Sequence, residues 1–371
     1  MIPTQEAAVQ VCLQANRNVH LWGMDGEGKT EWFKALVREL GWGIGVQILS
    51  QCDPTDEAGL PVIVGDRVLR IPARIYREAC EYGERGVPFV VFKDEKNTAA
   101  PATLAAGLNA ETQREAGDIK LPDSTRWASA ANPPEIAVNA CDFQPPTCTR
   151  MTHVNWTLDF TTWAEGMIND FQPPVLIPCP DDWRDSIPAM RAFFVSYIQR
   201  DRSAYREEPG PQFLNKPRGN PRTWEQLATV MACGTAMNVS EDVLLCLAEG
   251  TVGKGAAQSM WEYWMLRDLV DIDEILGSPD SVALPTRNDV QYILSTGLAA
   301  EVCRRSSLDA WIAYWIIMDR AVQAGWKDIA ALGARAVAKQ TTVIPKAAKN
   351  IHPVTREFVP MLKALKGLSD E

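Results

Sequence analysis

The stretch from Gly23 to Thr30, GMDGEGKT, combines residue types and spacing that fit one defined chemistry. It matches G-x-x-x-x-G-K-[ST], the pattern of a loop whose backbone N–H groups cradle phosphates. In such a loop the glycines let the backbone curl, Lys29 pairs with the β- and γ-phosphates, and the Thr30 hydroxyl ligates Mg²⁺. The pattern therefore predicts a site for ATP and Mg²⁺. The residues predicted to form it are Gly23, Met24, Asp25, Gly26, Glu27, Gly28, Lys29 and Thr30.

Further polar residues follow two apolar runs downstream of this loop. Asp94 and Glu95 end FVVFKDE, where Asp94 can hold the magnesium shell and Glu95 can orient or deprotonate an attacking water. Asn132 lies in SAANPPE, and its amide can hydrogen-bond that water or the γ-phosphate. An Asn-Pro turn initiator is the alternative for Asn132. Lys93, directly before the acids, is unusual in a buried strand and suggests that one edge of it is wet.

The elements that must position these residues alternate along the first part of the chain. An extended run leads into the glycine-rich loop, and a helical pattern follows it. Such alternation predicts an α/β fold of the P-loop NTPase class, with a parallel sheet flanked by helices and ligands at the carboxyl ends of the strands. The predicted strands are 18–22, 45–50, 87–92 and 125–131, and the predicted helix is 31–40.

Two interruptions of the alternation look like β-hairpins, each turning at a Gly-Asp pair, over residues 61–71 and 111–121. From about Trp183 onward the pattern becomes helical. Tryptophans recur there at helical spacing, which indicates core packing. The predicted domains are an ATPase core with two hairpin inserts at 1–170, a helical lid at 171–275 and a helical C-terminal tail at 276–371.

The composition indicates which kinds of partner and which cellular compartment to expect. A net charge of -10 disfavours non-specific adhesion to DNA or anionic lipid. Residues 335–366 are rich in Lys and Arg. This stretch forms either a solvated helix face or a binding patch. Nine cysteines without a C-x-x-C pair indicate idle thiols in a reducing cytoplasm. The start lacks the build of a signal peptide and no apolar run is long enough to span a bilayer, so we expect a cytoplasmic protein without a membrane anchor.

Over roughly residues 5–265 the chain resembles the MoxR-like AAA+ ATPases, close to the dynein-related branch. The resemblance rests on GMDGEGKT, SQCDPTDEAGLPV, DEKNTAAPATLAAGLNAETQREAGD, SAANPPE, TRMTHVNW and PRTWE. It implies that the two hairpins face the central pore or the partner of a ring. It also implies that Asn132 is the sensor-1 residue, that Arg150 is an arginine finger reaching the neighbour's γ-phosphate, and that Arg222 is the sensor-2 arginine of the lid. That family usually has an apolar residue where Lys93 stands.

Three classes of function follow from these observations. The leading hypothesis is a homo-oligomeric, hexameric ring whose ATP hydrolysis remodels or activates a partner protein, because an arginine supplied by a neighbour makes catalysis depend on assembly. The resemblance implies a partner with a von Willebrand factor A domain. A nucleic-acid-translocating motor is the second hypothesis, although the acidic balance makes nucleic acid unlikely as a partner. A P-loop kinase that needs no neighbour is the third.

Overall fold

The structure is a computed structural model that describes residues 2–137, 140–266, 270–305 and 307–339. The described residues form two compact units, one within Met1–Trp183 and Arg206–Ala257 and the other within Arg184–Tyr205 and Gln258–Glu371. The three-domain division predicted from the sequence stays a prediction. Most of the Lys/Arg-rich stretch, from residue 340 onward, lies outside the described residues.

Helices and strands alternate in the first half of the chain, and the described residues of the second half contain helices and no strands. The first half contains α1 (Thr4–Gln14), β1 (Val19–Trp22), α2 (Lys29–Glu39), β2 (Gly43–Ile48), α3 (Pro54–Ala58), β3 (Leu60–Val64), β4 (Arg67–Ile71), α4 (Arg74–Glu84), β5 (Phe89–Asp94), α5 (Pro101–Gln113), β6 (Glu115–Ala116), β7 (Ile119–Lys120), β8 (Thr125–Ala131), α6 (Pro145–Cys148), β9 (Thr152–Asn155) and α7 (Phe160–Asn169). The second half contains α8 (Ile187–Arg200), α9 (Pro221–Ala236), α10 (Glu241–Val252), α11 (Lys254–Trp264), α12 (Ile272–Gly277), α13 (Asn288–Arg305), α14 (Leu308–Gln323) and α15 (Lys327–Lys339).

The first unit is organised by a five-stranded sheet in the order β2-β5-β8-β1-β9. Every neighbouring pair in it is parallel. Because β8 lies between β1 and β5, its carboxyl end is flanked by the ends from which the glycine-rich loop and the two acids continue. The alternation of strands and helices is thus confirmed, and the topology is consistent with a P-loop NTPase-like fold.

Apolar residues of the central strands and of α2 form the core around this sheet. Phe89 to Phe92 of β5 are at most 1% exposed, as expected for a parallel strand that is covered on both faces. On α2, the residues Phe33, Leu36 and Val37 recur at helical spacing and are buried. The rings of Phe33 and Phe92 lie 4.7 Å apart, so α2 packs directly on the strand that carries Asp94.

Both predicted hairpins are present. β3 pairs antiparallel with β4, and β6 pairs antiparallel with β7. The second hairpin is shorter than predicted because α5 continues to Gln113. The two hairpins contact one another, since the Arg70 N–H donates to Asp118 Oδ2 over 2.7 Å and the Asp118 N–H donates to the Arg70 carbonyl over 3.0 Å. A Cβ at Gly117, where φ is +57°, would lie 2.3 Å from that carbonyl oxygen.

The second unit is helical in its described part and contains α8, α12, α13, α14 and α15, together with α11 from residue 258 onward. Apolar faces of α13, α14 and α15 form one buried cluster. Trp264, Trp311 and Trp315 are at most 6% exposed, as their helical spacing predicts. Among the described residues, no helix has the length and apolar character that crossing a membrane requires.

Two buried histidines lie side by side on neighbouring strands of the parallel sheet, His20 on β1 and His153 on the edge strand β9. His20 contacts Ser129 Oγ over 2.8 Å. Trp22 Nε1 donates to His153 Nδ1 over 2.9 Å, so the neutral His153 ring carries its proton on Nε2, which lies 3.0 Å from the Cys148 carbonyl. Burial lowers the pKa of His153 to about 4 and the pKa of His20 well below its usual value.

We expect the free energy of unfolding to fall as the pH drops below about 6.5, where histidines of the unfolded chain begin to bind protons. The folded pKa values are depressed, so this stability is complete above pH 6.5 and is lost toward the folded pKa of His153 near 4. Each buried histidine contributes a slope of up to about 1.4 kcal/mol per pH unit. Urea unfolding between pH 7 and 5 measures the slope. In His153→Gln it should be shallower, and an equal slope would contradict the assignment.

Candidate nucleotide-binding site

The glycine-rich loop runs from the end of β1 to the start of α2. Gly26 and Gly28 have φ values of +77° and +70°, which glycine adopts without the penalty that other residues meet. A Cβ at Gly23 would lie 2.7 Å from the Trp156 carbonyl oxygen, so only glycine fits there. The Met24 N–H donates to Glu27 Oε2 over 2.8 Å, so this amide already binds an anionic oxygen. Together with the N-terminus of α2, the loop can bind phosphate.

Lys29 and Asn132 come together beside this loop. Lys29 Nζ donates to the carbonyls of Gly23 and Met24 over 2.7 and 2.6 Å, and to Asn132 Oδ1 over 3.3 Å. Burial lowers the pKa of Lys29, and the negative charge of Asp94 is the largest effect that opposes it. Asn97, only 1% exposed, donates from Nδ2 to the Asn132 carbonyl over 2.9 Å and fixes the backbone there. Sequence reasoning missed Asn97.

Thr30 and Asp94 also meet, although they belong to α2 and β5. The Thr30 hydroxyl donates to Asp94 Oδ2 over 2.5 Å, and the Glu95 N–H donates to Asp94 Oδ1 over 2.9 Å. Mg²⁺ takes hard oxygen ligands, commonly one or two from the protein and the rest from phosphate and water. The paired hydroxyl and carboxylate oxygens fit such an ion.

Glu95 follows Asp94 in a left-handed backbone conformation, with φ 53° and ψ 38°. Its Oε2 accepts a hydrogen bond of 2.5 Å from Ser50 Oγ. Ser50 lies beyond the end of β2, and β2 and β5 are parallel neighbours, so their carboxyl ends bring the two side chains together. In the sequence, the hydroxyl of Ser50 in SQCDP stands at the end of a predicted strand, which is the signal that could have indicated this contact. Sequence reasoning gave Ser50 no role.

Arg150 and Arg222 lie apart from these contacts. In the described part of the chain, no hydrogen bond or ion pair joins either arginine to the loop, to Asp94 or to Glu95. The Arg150 guanidinium donates to the Pro146 carbonyl, and its Nε is buried without a hydrogen-bond partner among the described residues. Burial and then the positive charge of Arg222 lower the pKa of Arg150. Arg222 itself lies exposed in the first turn of α9.

A cavity of about 1090 Å³ opens next to the loop. Gly23, Met24 and Glu27 line it on one side, and Trp156 and residues 252–256 line it on another. Trp156 Nε1 donates to the Glu27 carbonyl over 3.1 Å, which joins the loop to the segment after β9. The volume is close to the upper limit of about 1,000 Å³ for small-molecule sites. Sequence reasoning missed the contribution of Trp156.

No protein-family model matches the chain, and no curated protein matches it. Among solved structures, a crystal structure from Cytophaga hutchinsonii described as a "putative ATPase" is similar, with a TM-score of 0.44 and 13% sequence identity. The match covers 69% of this chain and 87% of that chain. The interpretation of the site therefore depends on its own residues and their geometry.

Proposed function

We propose that this chain binds Mg-ATP on the loop from Gly23 to Thr30 and hydrolyses it. The observation that best supports this proposal is the 2.5 Å contact of the Thr30 hydroxyl with the Asp94 carboxylate, directly beside Lys29 and Asn132. P-loop NTPases use the same set of groups. In them a Lys, a Ser or Thr hydroxyl and an acid at the end of a strand surround the phosphates and their metal ion.

Each residue has a distinct role in this proposal. Lys29 pairs with the β- and γ-phosphates, and Thr30 and Asp94 hold Mg²⁺. The ion neutralises charge on the phosphate oxygens when it is bound. Glu95 orients or deprotonates the attacking water, and Asn132 hydrogen-bonds that water or the γ-phosphate. The cavity beside the loop accommodates the base and ribose.

We further propose that hydrolysis takes place in a homo-oligomeric ring of the MoxR-like type, hexameric, which remodels or activates a partner protein. In this arrangement Arg150 reaches the γ-phosphate bound by the neighbouring subunit, and Arg222 acts from the helical lid. The isolation of Arg150 from the ATP site of its own chain supports a role in trans. A protein with a von Willebrand factor A domain is the proposed partner, on the resemblance alone.

A P-loop kinase is the second candidate, and one observation favours it. Arg150 and Arg222 of one chain interact electrostatically, since the positive charge of Arg222 lowers the pKa of Arg150. Two arginines from the same chain can stabilise a transferred phosphoryl group without a neighbour. In that case ATP turnover requires a small-molecule acceptor rather than assembly.

We expect the ATPase rate per subunit of the wild-type protein to rise with protein concentration, because assembly completes each site. The measurement is phosphate release over a dilution series, with sedimentation velocity on the same samples. A rate that stays flat down to concentrations where the protein is monomeric favours the kinase instead. DNA and RNA serve as controls, since a steeply salt-dependent stimulation by either would indicate a nucleic-acid motor.

A further inference from the structure

The residues on either side of Asp94 and Glu95 are both buried lysines. Lys93 is 2% exposed and Lys96 is 4% exposed, so the expectation of a wet edge at Lys93 is wrong. Lys93 Nζ lies 2.7 Å from Glu57 Oε2 and 3.0 Å from Glu111 Oε1. Lys96 Nζ lies 3.0 Å from the same Glu111 oxygen. These four side chains form a cluster of two cations and two anions, which we call the buried ion cluster.

The buried ion cluster is tightly enclosed. Tyr76 donates its hydroxyl proton to Glu57 Oε2 over 2.8 Å. A Cβ at Gly107 would lie 2.4 Å from that oxygen and 2.8 Å from Lys93 Nζ. Burial opposes ionisation of Glu111, yet Lys96 and Lys93 lower its pKa to about 2. Glu111 is therefore charged at neutral pH.

Stability alone does not explain such a cluster. Taking charges out of water is costly, and well-packed apolar side chains of similar volume often serve as well or better. What a buried, hydrogen-bonded ion cluster adds is a fixed geometry. Glu95 stands between the two anchored lysines in its left-handed conformation, which a residue other than glycine keeps only where its surroundings hold it.

The other end of the buried ion cluster leads to the hairpins. Glu57 lies in α3, which continues through Gly59 into β3, and Glu111 lies in α5, directly before β6. The hairpins are in turn joined to each other by the hydrogen bonds between Arg70 and Asp118. An unbroken series of ion pairs, helix ends and hydrogen bonds therefore links Glu95 to both hairpins.

We propose that Lys93 and Lys96 are positioning residues, which hold Glu95 in its working geometry and couple that geometry to the two hairpins through Glu57 and Glu111. The proposal rests on the proposed ATPase function. A protein partner that moves the hairpins changes the rate of hydrolysis by this route. In the opposite direction, a bound nucleotide changes how strongly the backbone amides of the hairpins are protected from hydrogen exchange.

The test compares the wild type with an apolar variant that removes every charge of the cluster, Lys93→Met/Lys96→Met/Glu57→Leu/Glu111→Leu. We expect ATP affinity to stay within about threefold while kcat falls by about 10²-fold, because the water-activating carboxylate is misplaced. Hydrogen exchange of residues 60–71 and 115–120 is measured with and without a slowly hydrolysed ATP analogue. The wild type should show a nucleotide-dependent change that the variant lacks.

A milder pair, Lys96→Gln/Glu111→Gln, keeps hydrogen-bonding groups and should show the same losses in smaller measure. The matched control is Arg74→Gln/Glu78→Gln, which removes an exposed ion pair of α4 and should behave as the wild type. Unchanged kcat in either cluster variant, once it is folded, overturns the proposal. So does a wild type whose hairpins exchange identically with and without nucleotide. A wild type that does not bind ATP overturns the proposed function as well.

Discussion

Lys29→Ala is expected to abolish ATP binding, whereas Glu95→Gln is expected to bind ATP and stop turning it over. The first change removes the cation that lies against the loop carbonyls and Asn132. The second removes only a carboxylate that acts on water. Loss of one such electrostatic or acid-base group commonly costs roughly 10²-fold or more in rate. Calorimetric titration with Mg-ATP and phosphate-release kinetics measure the two effects separately.

The matched control is Lys34→Ala on the same helix. Lys34 is partly exposed and pairs with the exposed Glu31 over 2.7 Å, so both binding and turnover should be those of the wild type. Equal loss of binding in Lys29→Ala and Glu95→Gln would contradict the assignment of the two roles. Binding that survives in Lys29→Ala would contradict the loop itself as the phosphate site.

Arg150→Ala should bind ATP nearly normally and hydrolyse it poorly. A finger stabilises charge in the transition state and contributes little to ground-state affinity. Fingers are worth about 10³- to 10⁵-fold in kcat. Mixing Arg150→Ala with Glu95→Gln should restore some activity, because mixed rings contain interfaces that pair an intact Arg150 with an intact Glu95. Steady-state rates of the mixture, compared with each variant alone, measure the restoration.

The comparison needs proof that mixed assemblies form, for which differently tagged subunits can be co-purified. Arg222→Ala is the companion variant. If Arg222 acts within its own subunit, mixing Arg222→Ala with Glu95→Gln should restore nothing, because no subunit then holds both an intact Arg222 and an intact Glu95. If mixing restores nothing although mixed assemblies form, Arg150 does not act in trans. The electrostatic interaction of Arg150 with Arg222 in the same chain would then favour the kinase.

Local patterns carried enough information to predict much of the fold and the candidate site. The glycine-rich loop and the apolar run of β5 specify their elements over a few residues. The parallel order of the strands then brings Asp94 and Asn132 to the loop. The strand β9 was missed because its sequence, THVN, contains no apolar run. Its buried Thr152 and His153 are accommodated by pairing with β1, which only the assembled sheet supplies.

Side-chain partners that are distant in the sequence could not be predicted. The contact of Ser50 with Glu95 requires β2 and β5 to be neighbours. The ion pairs of Lys93 require α3 and α5 to pack on the same side of β5. A lysine in an apolar strand was recognised as unusual, but the sequence alone did not show that two buried glutamates neutralise it.

The buried ion cluster also constrains how this chain can evolve. Removing one partner leaves an uncompensated buried charge, which costs about 3–5 kcal/mol, whereas exchanging a whole buried ion group for apolar residues can be neutral. That single loss is a large part of the roughly 5–15 kcal/mol by which a typical domain is stable. We therefore expect related sequences to change Glu57, Lys93, Lys96 and Glu111 in combination rather than singly. Chains that lose one of these charges alone should fold poorly, so we expect related sequences to lose them in pairs of one lysine and one glutamate.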